Sequence, residues 1–308
     1  MNVLPDKSII EEVASIIGIS PSFVEKDWYV TQVIKIAGGI SFQDFQIIFT
    51  GGTALSKAHR LLQRFSEDTD FRVVAPGLNT LSQSKQRALL SAFKSNIISS
   101  FKTVFQLEDE KVYAGNGNRF IAIEIEYSSY FPPENALRPH ILIEFTVMNL
   151  ELPALQLPVS SLVNELAKKS PEVAKIDCTD PAENACDKLS AIAWRIPNRV
   201  RGSENDDPTV VRHIHDLAIM SDLAVKHPLF KTLVIQTVKN DDQRSVRTAG
   251  MTIVQKLNLM MEILEGEKEY VQEYDRFVRG MSYAPDHNLL SYHQAVEKLR
   301  ILVNAILS

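Results

Sequence analysis

Two hydrophobic periods run along this chain, and the change from one to the other divides it. Residues 8–38 carry apolar positions at helical spacing on both sides of a turn at 18–21. Phe23, Val30, Ile34 and Ala37 line the second helix, with Ser20 placed to cap it and Pro21 in its first turn. The short apolar run FQIIFT (45–50) suits a buried strand. GGTALSKAHRLLQRF then reads as a glycine turn and a helix, and TDFRVV alternates as a β-branched strand. Residues 80–105 form one amphipathic helix. Two more strands, RFIAIEIEY (119–127) and HILIEFTVM (140–148), flank the turn-rich link SSYFPPENALRP.

The proline-bearing stretch ELPALQLPVS marks a boundary near residues 152–158, and beyond it the chain reads almost entirely as helix. Asp180, Pro181 and Glu183 make a helix start, and Pro197 closes that helix. RVRGSENDDPT is a polar loop, after which Thr209 can cap the next helix. The expected fold class is α+β: a mixed sheet with helices over 1–155, then a helical bundle over 156–308. No internal repeat or low-complexity tract interrupts this layout.

Composition narrows the possibilities. Of 308 residues, 45% are hydrophobic and 23% charged, as in a globular protein with a proper core. The first residues carry acids where a secretory signal would be apolar, and no apolar run is long enough to span a bilayer, so a cytoplasmic protein without a membrane partner is expected. Cys178 and Cys186 are too few for a disulfide framework and have no ligand cluster nearby, so they read as free thiols. The formal net charge of −5 excludes a strongly basic nucleic-acid binder, leaves any RNA contact to a local patch, and suits an enzyme whose carboxylates need a cation.

The richest segment is FTGGTALSKAHRLLQRFSEDTDFRV. A strand runs into Gly51 and Gly52, and a helix begins near Thr53. Two glycines let backbone N–H groups approach a ligand with no Cβ in the way, and a helix N-terminus behind them suits phosphate. The plainer reading of such a pair is a tight strand–helix turn. Asp68 and Asp70, two apart on a strand, leave the same face about 7 Å apart at the backbone. Their charges repel by roughly 2 kcal/mol at an effective dielectric near 20. Magnesium, a hard cation that takes one or two carboxylates plus substrate phosphates, would relieve that repulsion.

This combination resembles the polymerase-β-type nucleotidyltransferase superfamily, whose signature is Gly–Gly/Ser followed by D-x-D or D-x-E. Within it, GGTALSKAHRLLQRFSEDTDF resembles the first motif of the AbiEii family of toxins from type IV toxin–antitoxin systems, and EKDWYVTQVIK (25–35) resembles that family's EKD-containing helix. The resemblance implies a polymerase-β-like N-terminal domain, magnesium held by Asp68, Asp70 and a third carboxylate, and an NTP as substrate. Of Glu124, Glu126 and Glu144, the last sits on the strand that best matches the family pattern, and the other two suit a solvated strand face. Lys57 matches the family's lysine in the helix after the glycines, to steer phosphate or simply to be solvated. Ser66 matches the serine before D-x-D, to bond phosphate or cap the turn.

A third likeness lies in the helical half, where the family carries a lysine helix and an R-D-x-x-D-like stretch. Lys188, Arg212 and Asp216 occupy those places, and His213 departs from the first aspartate. By residue type alone, Arg212 and Asp216 four apart are an ordinary intrahelical ion pair. The resemblance instead implies that Lys188 and Arg212 contact the nucleotide and that Asp216 positions or deprotonates the acceptor hydroxyl. His213 and His215 are possible bases or ordinary helix histidines.

The expected reaction moves NMP from an NTP to a hydroxyl in a cleft between sheet and helices, first of all to the 3′ end of tRNA. Lys168, Lys169, Lys175, Arg195, Arg199 and Arg201 are candidates for the RNA patch. An antitoxin encoded nearby, without a stable complex, is the implied partner. The rival readings are transfer to a small molecule or protein, and a non-catalytic nucleotide-binding member of the family.

Overall fold

Seven strands make one mixed sheet among the described residues of this computed structural model, which are 3–204, 206–285 and 288–308. In chain order they are β1 (Gln46–Thr50), β2 (Thr69–Val74), β3 (Val112–Gly115), β4 (Phe120–Glu126), β5 (His140–Val147), β6 (Leu155–Val159) and β7 (Val173–Cys178). Their order across the sheet is β3-β4-β5-β2-β1-β7-β6, with β2 parallel to β5, β1 parallel to β7, and the remaining pairs antiparallel.

One face of the sheet is a dry core. Phe49, Phe71 and Phe145 stand in register on β1, β2 and β5, with ring centroids 5.4 and 5.1 Å apart. Helices α2 (Pro21–Gly38) and α4 (Gln83–Lys102) cover them through Val30, Val33, Ile34, Phe93, Ile97 and Phe101. Because side chains alternate across a strand, the next row leaves the opposite face. That row is Thr50, Asp70, Glu144 and Ala122, each paired with the next. The apolar spacing that buries the phenylalanines therefore also fixes where the acids go.

Alpha-helix α1 (Lys7–Ile17) packs through Ile10, Val13 and Ala14 onto Val24 of α2 and Val163 of the short α5 (Leu162–Leu166). Ser20 stands at the α2 N-cap, but its hydroxyl donates to Glu134 (2.7 Å) instead of capping the helix. After Gly51 the chain makes only a three-residue helix, α3 (Gly51–Thr53), and a π-helical turn (Ala54–Ala58), so the long helix expected over this stretch is not formed.

The chain divides into two compact units, and the boundary falls later than the prolines suggested. The first unit is 1–60 with 65–179; the second is 61–64 with 180–308. The expected division at 155 is corrected because β6 and β7 extend the sheet. Proline is tolerated at a bulge on an edge strand, and Pro158 sits at the register shift of edge strand β6.

The second unit is helical: α6 (Pro181–Asn198), α7 (Val211–Lys226), α8 (Phe230–Asn240), α9 (Ile253–Gly266), α10 (Glu269–Met281) and α11 (Tyr292–Leu307). Asp180 caps α6 by accepting from the Ala182 N–H at 2.7 Å. Before α7 the cap is Asp207, which accepts from both the N–H and the hydroxyl of Thr209, so Thr209 is the capped residue rather than the cap. Asn205, in the polar loop read from the sequence, lies outside the described residues.

Both cysteines are free and buried. Burial, with Asp177 adding to it, pushes the Cys178 thiol up to about 12. Among the described residues no helix is long and apolar enough to cross a membrane.

Candidate active site

Gly51 carries the conformation that only glycine adopts without strain, with φ at 77°. A Cβ there would run into the Asp70 carboxyl, whose Cγ would be 3.0 Å away. The glycine thus lets the turn lie directly against that carboxylate, and Gly52 follows as the second residue of α3. Glu144 stands beside Asp70 at the same step of the parallel β2–β5 ladder, and both are half-buried. Adjacent strands lie about 4.8 Å apart, and like charges directly opposite are unfavourable. Glu124 and Glu126 instead face Lys111, at 3.5 and 3.4 Å, which fits a solvated strand face.

Asp68 precedes β2 by one residue. Its carboxylate accepts from Arg138 Nη1 at 2.7 Å, and its carbonyl accepts from the buried Thr53 hydroxyl. That hydroxyl also lies 2.8 Å from Ser66 Oγ. A hydroxyl has one proton and a carbonyl can only accept, so Ser66 donates to Thr53. Thr53, not singled out from the sequence, therefore holds both Ser66 and the backbone of Asp68.

Lys57 departs from expectation. It is not solvated but buried in an ion pair with Asp27 of α2 (side chains 8% and 6% exposed). The other Asp27 oxygen accepts from the Leu162 N–H at 2.7 Å.

The neighbouring charges of the EKD helix are structural in the same way. Glu25 accepts from the Tyr130 N–H (2.8 Å) and the Ser129 hydroxyl. Lys26, fully buried, donates to Glu67 and to the Arg138 carbonyl (2.6 Å). Burial draws the Lys26 ammonium below its ordinary value, and Glu67 opposes that shift. Every residue of α2 from Ser22 to Ile34 is buried, and charges so placed must be paired.

The donor set suits magnesium by chemistry. Asp68, Asp70 and Glu144 offer hard oxygens, and one or two carboxylates suffice when phosphates complete the shell. Among the described residues no three His, Cys, Asp or Glu side chains form a group that could by itself hold a metal ion.

In the helical unit a second polar cluster surrounds Asp216 of α7, which is fully buried. Arg64 grips it with two bonds of 2.7 Å, Lys188 of α6 lies at 2.9 Å, and His215 Nδ1 at 3.5 Å. Arg64 belongs to the short segment 61–64. The carbonyl of Gln63 there accepts from the Ser282 hydroxyl and the Tyr283 N–H, both at 3.1 Å. Although burial opposes it, the two cations hold the Asp216 carboxyl well below its ordinary value.

A carboxylate so held is a poor proton acceptor. Of the two roles expected for Asp216, positioning and deprotonation, this electrostatic setting favours the first, and its contact with Lys188 suits it to orienting that ammonium. Arg212 lies one turn before it on α7 and is half-buried. Arg64 itself was not readable as a partner, since nothing in the surrounding RLLQRFSE points to a carboxylate 152 residues away.

His213 is also a poor base. Arg195 Nη1 lies 3.4 Å from its Nε2, and burial, with the Lys188, Arg212 and Arg195 cations, holds it well below its ordinary value, Asp216 opposing. The unfolded chain then binds more protons than the native one below the ordinary histidine pKa, about 6.5, down to the depressed native one. The contribution of His213 to stability therefore rises with pH across that window. Urea unfolding at pH 5, 6 and 7 is expected to show His213→Gln removing up to about 1.4 kcal/mol per pH unit from that slope.

Of the six residues expected for the basic patch, Lys168, Lys169 and Lys175 are exposed, and the three arginines are engaged in ion pairs. Arg199 is bonded to Glu273 (2.6 and 2.8 Å) and Asp206 (2.7 Å), and Arg201 to Glu267 and Glu273, both over the Tyr270 ring. Arg195 pairs with Asp207 at 3.3 Å.

A mixed sheet with a glycine turn set against a row of carboxylates, followed by a helical unit, defines a nucleotidyltransferase. The profile of the family described as nucleotidyl transferase AbiEii toxin, type IV TA system, matches residues 38–299, and the chain belongs to that family. Its fold is similar to that of MenT4, a nucleotidyltransferase toxin from Mycobacterium tuberculosis H37Rv. The TM-score is 0.52, the identity 16%, and 98% of each chain is covered. No curated protein sequence matches the chain.

Proposed function

We propose that this nucleotidyltransferase transfers NMP from an NTP to the 3′-terminal hydroxyl of tRNA. The observation that carries the reading is the register of Asp70 with Glu144, beside a glycine whose missing Cβ leaves room for the Asp70 carboxylate. Asp70, Glu144 and Asp68 are the residues we assign to magnesium, which when bound would supply charge stabilisation at the phosphates. Gly51 and Gly52 offer backbone groups to the triphosphate. Ser66 can join them by turning its proton from Thr53 to a phosphate oxygen. The family resemblance assigns Lys188, which contacts Asp216, and Arg212 to phosphate, the ammonium acting as a point charge.

The acceptor oxygen bonds to the α-phosphorus, the bond to the bridging oxygen breaks, pyrophosphate leaves with that electron pair, and the hydroxyl proton passes to solvent. Transition-state charge spreads over the phosphoryl oxygens, so positioned cations and donors do most of the work.

The choice of tRNA rests on the family resemblance, as does an antitoxin encoded nearby that forms no stable complex with this chain. We place the protein in the cytoplasm, where NTPs, magnesium and tRNA are present. Incubation with each labelled NTP, magnesium and total tRNA is expected to leave label on RNA. Label confined to the protein or to a small molecule would rule out the tRNA reading.

A further inference from the structure

Arg138 lies in the link between β4 and β5, and its backbone is fixed on both sides. Its N–H donates to Glu67 Oε2 (3.0 Å), its carbonyl accepts from Lys26 (2.6 Å), and Lys26 and Glu67 are bonded to each other. Lys26 is fully buried in the second turn of α2. The rest of the link is tied to the same helix: Tyr29 donates to the Ser128 carbonyl (2.8 Å), Ser22 to the Pro132 carbonyl (3.2 Å), and Glu25 accepts from Tyr130. The position of residue 138 relative to residue 67, and so to Asp68, is built into the core.

The side chain is held quite differently. The Arg138 guanidinium is 42% exposed and meets Asp68 Oδ1 at 2.7 Å. An exposed pair of this kind is weak and readily exchanged. A guanidinium and a divalent ion on one carboxylate repel each other, while a guanidinium fork matches phosphate oxygens.

We infer that Arg138 is an exchanging counter-ion of the nucleotide site. Without nucleotide it neutralises Asp68; when magnesium and a nucleoside triphosphate bind, it leaves that carboxylate and engages the non-transferred phosphates. The backbone clamp keeps the guanidinium within reach of both, and the exchange makes metal binding without nucleotide weaker than it would otherwise be. This rests on the assignment of the carboxylates to magnesium proposed above.

The test is binding, measured without turnover. Manganese binding in the absence of nucleotide is followed by the loss of the free-ion electron paramagnetic resonance signal up to millimolar concentration. Affinity for a non-hydrolysable NTP analogue with magnesium is measured by calorimetry. Arg138→Gln is expected to bind manganese about three- to fivefold more tightly and the analogue at least about tenfold more weakly. Arg138→Lys, which keeps the charge but not the fork, should bind manganese like the parent protein and the analogue with intermediate affinity.

Opposite shifts in one variant are not produced by general damage to the fold. Unchanged or weaker manganese binding in Arg138→Gln overturns the inference, as does unchanged analogue affinity or no manganese binding in either protein. Asp70→Asn separates the two levels. If it removes manganese binding while Arg138→Gln changes nothing, only the counter-ion role fails. If it leaves manganese binding intact, the underlying metal assignment fails.

Discussion

Asp70→Asn is expected to lower nucleotidyl transfer by about a thousandfold or more, near 4 kcal/mol of transition-state stabilisation, without lowering the melting temperature. The two halves of that expectation have one cause. Asp70 shares a register step with Glu144 and sits against Gly51, so its charge is set beside another carboxylate. Such pairs cost stability in the resting protein and are kept for the ligand they hold. The amide preserves shape and removes charge, so it should leave the strand intact and melt at the same temperature or higher. Steady-state assays of pyrophosphate release, with thermal unfolding of both proteins, check this. A variant that melts lower and keeps its turnover would show the charge to be structural.

Asp216→Ala should have the largest effect on stability. Arg64 and Lys188 would be left buried without the carboxylate that both contact, and breaking a buried pair from one side costs about 3–5 kcal/mol. The melting temperature is expected to fall on the order of 10 °C. Activity would fall with it, because Lys188 loses the group that orients it. Replacing the cluster together, as in Asp216→Leu with Arg64→Met, should restore much of the stability but none of the activity. If Asp216→Ala instead melts like the parent protein while losing all turnover, Asp216 acts directly in the chemistry rather than by orienting Lys188.

Local features of the site were legible in the sequence; long-range pairings were not. The glycine turn and the strand β2 after it follow from neighbours in the chain, whereas Asp68, expected on that strand with Asp70, precedes it by one residue. That Glu144 rather than Glu124 lies beside Asp70 depends on the register of β5 against β2, which local pattern does not fix. Lys57 illustrates the same limit: its spacing after the glycines is that of a phosphate-binding lysine, yet Asp27, thirty residues earlier, claims it. The late boundary was hidden because proline reads as a linker, whereas edge strand β6 accommodates it at a bulge. Arg64 and Arg138 were missed for want of any local signal, since each is defined by a partner about seventy residues or more away.

The most direct measurement is a structure of the protein crystallised with manganese and a non-hydrolysable NTP analogue, with the ion located by its anomalous scattering. The ion should be bound by Asp70 with Glu144 or Asp68, with the triphosphate against Gly51 and Gly52. An ion bound elsewhere, or a triphosphate held away from that turn while Asp70 and Glu144 contact neither, would contradict the account.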